Sequence, residues 1–144
     1  MTPQDRAARC AQAMWAKDSA SQALGMALTA IGPGTATLTM PVRANMLNGH
    51  GICHGGMIFT LADSAFAFAC NTYNQLTVAQ QNQITYLAPG QPGDTLTAQA
   101  TETARQGRSG TYDVAVTGSD GATLALFRGL SRTISGTHFD EDTV

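Results

Sequence analysis

The sequence predicts an α+β domain in which an antiparallel sheet of about six strands wraps around one long central helix, with an extra helix at the N-terminus. Between Met57 and Cys70 there is no Gly or Pro, and the only polar residues are Thr60, Asp63 and Ser64. A helix there is greasy all round and must be covered on nearly every side. Around it, apolar residues recur with period two in runs closed by Gly, Pro and Asp, as in strands with one buried face. At 144 residues the chain is sized for a single domain, 1–144, that buries about two-thirds of the surface its unfolded form exposes.

Thr2-Pro3-Gln4-Asp5 reads as a helix start, with Thr2 as cap and Pro3 in the first turn, and Ala7, Cys10, Ala11, Met14 and Trp15 follow at helical spacing. A one-sided helix is expected over 3–20. From Met26 the period becomes two: Met26, Leu28 and Ala30 face inward, Gly32-Pro33-Gly34 turns, and Ala36, Leu38, Met40 and Val42 alternate again. A Gly-rich loop from Asn48 leads into the central helix. Beyond it come strands over Leu76–Leu87, over Thr95–Ala104 with Leu96, Ala98 and Ala100 inward, through Tyr112, Val114 and Val116, and over Thr123–Ile134. The acidic tail, 136–144, is expected to be flexible.

A net charge of −2 points to neither nucleic acid nor an anionic membrane. The apolar helix is too short to span a bilayer, which takes roughly 20 residues, and it carries a carboxylate in its middle. The three cysteines cannot all pair, and residues 1–24 lack a signal-peptide core, so a reducing cytoplasm is the expected setting. Metal ligation through Cys53-His54 lacks further ligands at a suitable spacing, and no metal is expected. Cys10 and Cys70 read as core.

Asp63 stands out, because an acid on so apolar a helix needs a partner and no Lys or Arg occurs between Arg43 and Arg105. The start of the helix stands out too. Cys53-His54-Gly55-Gly56 has no Ser, Thr, Asp or Asn at the capping place, so free N–H groups beside glycines are expected there, ready for an anion or a carbonyl turning into one. Gly55 and Asp63 lie roughly 12 Å apart along one helix at about 1.5 Å per residue. If both serve one reaction, they come from two copies of the helix, as in a two-fold dimer.

Asn48, Cys53-His54-Gly55-Gly56 and Asp63 within Leu61-Ala62-Asp63-Ser64-Ala65 resemble the motif of the hotdog-fold acyl-CoA thioesterases of the phenylacetate-degradation (PaaI) type. The likeness continues through Gln83–Gly90, Pro92–Leu96 and Ala125–Gly129, covering about residues 24 to 134. It implies the hotdog fold, a homodimer or homotetramer, and a small acyl-CoA substrate such as (hydroxy)phenylacetyl-CoA or a medium-chain acyl-CoA, with coenzyme A part of the substrate and no separate cofactor. It also implies catalytic roles for Asp63 as general base or nucleophile, Gly55 as carbonyl-polarising N–H donor, Asn48 as a positioning group and His54 as a residue that mainly shapes the turn; read from its position alone, His54 holds the loop or caps its helix. The substrate-binding candidates are Gly56, Phe59, Ser64, Gln81, Gln83, Arg108 and Arg128, with Arg105 and Arg132 as further basic groups for the coenzyme A phosphates. Phe59, Phe66, Phe68 and Tyr86 suit either an aryl pocket or the core. Two rivals stand beside hydrolysis: an acyl-thioester hydratase or dehydratase on the same fold, and a non-catalytic acyl-CoA binding protein.

Overall fold

In the structure, a computed structural model that describes residues 1–143, helix α1 runs over Pro3–Trp15. The Thr2 hydroxyl accepts from Asp5 N at 3.0 Å and the Asp5 carboxylate accepts from Thr2 N at 3.2 Å, a reciprocal cap of the kind whose loss costs about 1 kcal/mol. Ala7, Cys10 and Ala11 are buried. The helix predicted over 3–20 stops early: Asp18, with non-helical backbone angles, caps a separate short helix, α2 (Ser19–Ala23), by accepting from Ser21 N at 3.0 Å.

Six strands follow: β1 (Ala27–Gly32), β2 (Thr35–Pro41), β3 (Thr77–Tyr86), β4 (Thr95–Gln106), β5 (Ser109–Thr117) and β6 (Thr123–Thr133). Between β2 and β3 lies the central helix, α3 (Gly55–Cys70). The strands form one antiparallel sheet in the order β1-β2-β4-β5-β6-β3. Helix α3 lies against its inner face, packing on β2, β4 and β5 above all. Leu38, Met40, Leu96, Ala98, Ala100, Tyr112, Val114 and Val116 point inward as their alternation requires and meet Leu61, Ala65 and Phe66 of the helix. Each fully buried Leu or Phe there contributes about 1.5–3 kcal/mol. Phe66 lies flat enough on the sheet that a Cβ at Gly129 of β6 would sit 2.7 Å from its ring.

Register slips occur in β1 and β3, between Glu102 and Ala104 of β4, and between Val116 and Thr117 in the β5–β6 ladder. In β1 the register slips between Leu28 and Ala30, and Thr29 is left without an opposite residue. Ala30, predicted inward, is therefore exposed. In β3 the slip falls between Ala79 and Gln81. Helix α1 packs along β1, where Gln4 Nε2 donates to Ile31 O at 2.8 Å. The opposite edge strand, β3, leaves Val78 and Tyr86 about half exposed.

The tail expected to be flexible is held at several points. Leu76 N donates to Gly136 O at 3.0 Å, Asn74 Oδ1 accepts from the N–H groups of His138 and Phe139, and Glu141 pairs with Arg6 at 2.7 Å. Val144 lies outside the described residues.

Candidate active site

The loop ahead of α3 is a small hydrogen-bonded cage. Asn48 N donates to Ile52 O at 2.9 Å, while its side-chain Oδ1 accepts from His50 N at 2.9 Å and Ile52 N at 3.3 Å. Gly51 closes the turn at φ +75°, a conformation that glycine adopts without strain. Cys53 N donates to Gly90 O and His54 N to Met46 O, both at 2.8 Å, which fixes where the helix begins. Asn48 thus spends its acceptor on the loop and retains its amide N–H donors.

The helix start is capped by His54, in line with the reading of that residue as one that holds the loop or caps its helix, so of the N–H groups expected to be free the one on Gly56 is taken. His54 has extended angles, φ −60° and ψ 133°, and its Nδ1 accepts from Gly56 N at 2.8 Å. An imidazole nitrogen here does what a Ser or Asp oxygen usually does. It also fixes the neutral tautomer, with the proton on Nε2. Gly56, a substrate-binding candidate, is therefore engaged by the cap, and a Cβ there would lie 3.0 Å from His54 Nδ1. Gly55 N–H has no acceptor among the described residues. Tyr86 of β3 covers this glycine: its hydroxyl donates to Gly55 O at 2.8 Å, and its ring atoms stand 3.0–3.3 Å from where a Gly55 Cβ would be.

Asp63 lies two turns further along α3, and Asn82 of β3 donates from Nδ2 to its Oδ1 at 3.0 Å. Burial pushes the Asp63 carboxyl above the ordinary Asp value, and the Asn82 hydrogen bond opposes that shift. Asn82 Oδ1 is itself buried without a partner. Asp63 also lines a cavity of about 430 Å³ with Met14, Phe66, Cys70, Val78 and His138. The site can thus offer a carboxylate facing an apolar space and, at the far end of the same helix, a free backbone donor on a positive dipole end.

The other candidates are dispersed. Phe59 packs edge-on against Phe127 with ring centroids 5.4 Å apart, while Phe66 and Phe68 are core. Ser64 shares a 2.9 Å hydrogen bond with Ser21 of α2. Gln81 and Gln83 are exposed on the face of β3 opposite to Asn82. Arg128 is held by Asp113 in a bidentate pair at 2.8 and 2.9 Å, Arg105 lies over the Tyr73 ring, and Arg108 and Arg132 are exposed. Cys53 is buried and its thiol is pushed up by burial, while Cys70 is pushed up to about 12. Both are poor nucleophiles. Among the described residues no group of three or more His, Cys, Asp or Glu could hold a metal ion, and no helix is long and apolar enough to cross a membrane.

Within the amide run Gln80-Gln81-Asn82-Gln83, a candidate for lining the cleft, sequence reasoning chose Gln81 and Gln83 as site residues, whereas the side chain that reaches Asp63 is Asn82. Gln80-Gln81-Asn82-Gln83 looks polar on both faces, but Ile84 packs inward, and counting back two along the strand puts Asn82 on the helix side. The need of Asp63 for a partner was the second signal.

A sequence profile of the thioesterase superfamily matches residues 50–125. The acyl-coenzyme A thioesterase PaaI of Escherichia coli K12 is 46% identical over 127 residues, which cover 88% of this chain and 91% of that one. The solved structure of the E. coli PaaI protein from the phenylacetic acid degradation operon superposes with a TM-score of 0.93 at 43% identity, covering 94% of this chain and 99% of that one. A Streptococcus mutans protein solved bound to acetyl CoA superposes with a TM-score of 0.74 at 27% identity, covering 78% of this chain and 90% of that one.

Proposed function

This chain belongs to the thioesterase superfamily, and on that footing we propose that it hydrolyses acyl-CoA thioesters, with Asp63 as the acting carboxylate and Gly55 N–H as the donor to the carbonyl oxygen. The observation that carries the reading is Asp63 itself, an acid held at the heart of an apolar helix by one amide and bordering an apolar cavity. Such a carboxylate is costly to keep. The E. coli relative's name as an acyl-coenzyme A thioesterase and the acetyl CoA bound to the S. mutans protein support the substrate class.

In the proposed reaction, water attacks the thioester carbonyl carbon as its proton passes to Asp63, or the Asp63 carboxylate attacks first and water then hydrolyses the mixed anhydride. The oxyanion is held by Gly55 N–H at the positive end of α3, a kind of donor whose loss typically costs about 10²–10³ in rate. In the first route the oxyanion collapses with cleavage of the C–S bond and the coenzyme A thiolate takes the proton held by Asp63; in the second the same cleavage forms the anhydride, the thiolate is protonated by solvent, and water then frees the acid and regenerates the Asp63 carboxylate. The amide N–H of Asn48 orients the water or the carbonyl. Because Gly55 and Asp63 stand roughly 12 Å apart on one helix, each site takes Gly55 from one chain and Asp63 from another, so the acting species is a homodimer or a pair of dimers.

The acyl group we propose is aryl, phenylacetyl or its ring-hydroxylated form, from the likeness to the phenylacetic acid degradation protein. Thiol release from aryl and aliphatic acyl-CoAs tests this, with the aryl members expected to turn over fastest. A preference for medium-chain acyl-CoA would replace the aryl assignment. Turnover of enoyl-CoA without thiol release would favour a hydratase, and binding without turnover a carrier. Asp63→Asn should lower kcat by about 10²–10⁴ with KM little changed.

The shared site is tested by mixing inactive chains. Gly55→Pro removes the N–H at a first-turn position after a residue already extended, where the backbone suits proline but Tyr86 must shift by a few tenths of an ångström to admit the proline ring. Verified heterodimers of Gly55→Pro with Asp63→Ala should regain activity, and silent heterodimers would refute sharing.

A further inference from the structure

We propose that Asn82 is the positioning residue of the Asp63 carboxylate, fixing its orientation and holding it ready to accept a proton; this rests on Asp63 being the acting group. Asn82 Nδ2 donates to Asp63 Oδ1 at 3.0 Å, and no other described side chain hydrogen-bonds that carboxylate. The contact depends on the fold in a specific way. The β3 bulge between Ala79 and Gln81 resets the strand's parity, so that Asn82, rather than either flanking Gln, lies under α3. Asn82 is paired across the ladder with Gly129, the glycine that lets Phe66 lie close on the sheet, and Phe66 borders the cavity next to Asp63. Helix, strand and cavity wall therefore meet at this amide.

The amide is retained at a cost. Its Oδ1 is buried with no donor, and an unsatisfied buried carbonyl destabilises the fold. An apolar side chain would suit the packing better, which argues that the N–H half of the amide is what the position serves. The electrostatic surroundings leave it little competition. The titratable groups that share the cavity are Cys70 on α3 and His138 from the tail, and neither Lys nor Arg lines it. The Cys70 thiol is pushed up to about 12 and stays neutral; burial lowers His138, which favours its neutral form. The Asn82 hydrogen bond is thus what opposes desolvation of the Asp63 carboxylate.

The test uses full-length protein with ¹³C-labelled Asp carboxyl carbons, comparing wild type with Asn82→Leu and, in case Leu overfills the space, Asn82→Ala. The Asp63 carboxyl should titrate at higher pH in both variants. With phenylacetyl-CoA as probe, the acid limb of kcat/KM should move up by the same amount. On the high-pH plateau kcat should fall roughly 10- to 100-fold, the cost of a misplaced catalytic group, with KM nearly constant. In an Asp63→Asn background, Asn82→Leu should change the residual rate by less than about twofold, because the two residues act as one unit. An Asp63 titration unmoved in folded Asn82→Leu and Asn82→Ala proteins would overturn the proposal. Asp63→Asn retaining the wild-type rate while that titration still moves would instead overturn the role given to Asp63 and leave the Asn82 contact standing.

Discussion

Gly129 has an ordinary backbone and is glycine for lack of room: an added Cβ would stand 2.7 Å from three atoms of the Phe66 ring. The ring is buried and packed on Tyr112 and Phe127, so making room means shifting those contacts, and Gly129→Ala should destabilise by about 1–3 kcal/mol, read as a lower urea midpoint. Adding Phe66→Leu should return part of that loss. Neither effect was legible in the sequence, where Gly129 figures only as the end of the Ala125–Gly129 likeness. Asp63 was legible, because its chemistry clashed with its neighbours. Its partner Asn82 was hidden by a bulge that no residue type announces, whereas the cap by His54 was legible from its place directly ahead of the helix.

The tail clasp ties the end of α3 to the residues after β6. Asn71 Nδ2 donates to Ala67 O and Thr77 O, its Oδ1 accepts from Thr77 N, and His138 Nε2 lies 2.8 Å from that same oxygen. Burial, and then the charge of Lys17, lower the His138 pKa. The unfolded chain therefore takes up this proton more readily than the folded one. The resulting stability is fully present above the unperturbed His value of about 6.5 and is lost as pH falls from there toward the lowered folded value. Urea midpoints should drop over that window in wild type, and the drop attributable to this group should vanish in His138→Gln. Where alternation runs unbroken, in β2, in β4 up to Glu102 and in β5 up to Val116, the buried faces were readable residue by residue. Ala30 was misplaced because period two holds only until an extra residue enters the ladder, and the early end of α1 came from Asp18 accepting from Ser21 N.

The architecture as a whole followed from one conflict, a helix too apolar to tolerate water in a chain otherwise made of half-buried strands; a sheet curled over it resolves that conflict. What alternation could not supply was the order of the strands. Strand β3 comes before β4 in the chain yet lies at the far edge, where its one ladder partner is β6, with Thr77 opposite Thr133. That order has a consequence in time. During refolding, β4, β5 and β6 can zip through adjacent hairpins, whereas β3 must wait for β6, which follows two intervening strands in the chain, and close a long loop; only the β2–β4 ladder closes a longer one. Asn82 travels with β3, so Asp63 meets its amide only when that long-range ladder forms. After dilution from denaturant, far-UV circular dichroism should therefore recover first and thioester hydrolysis later, with the lag shortened in a circular permutant that places β3 directly after β6; simultaneous recovery would mean that β3 docks with the rest.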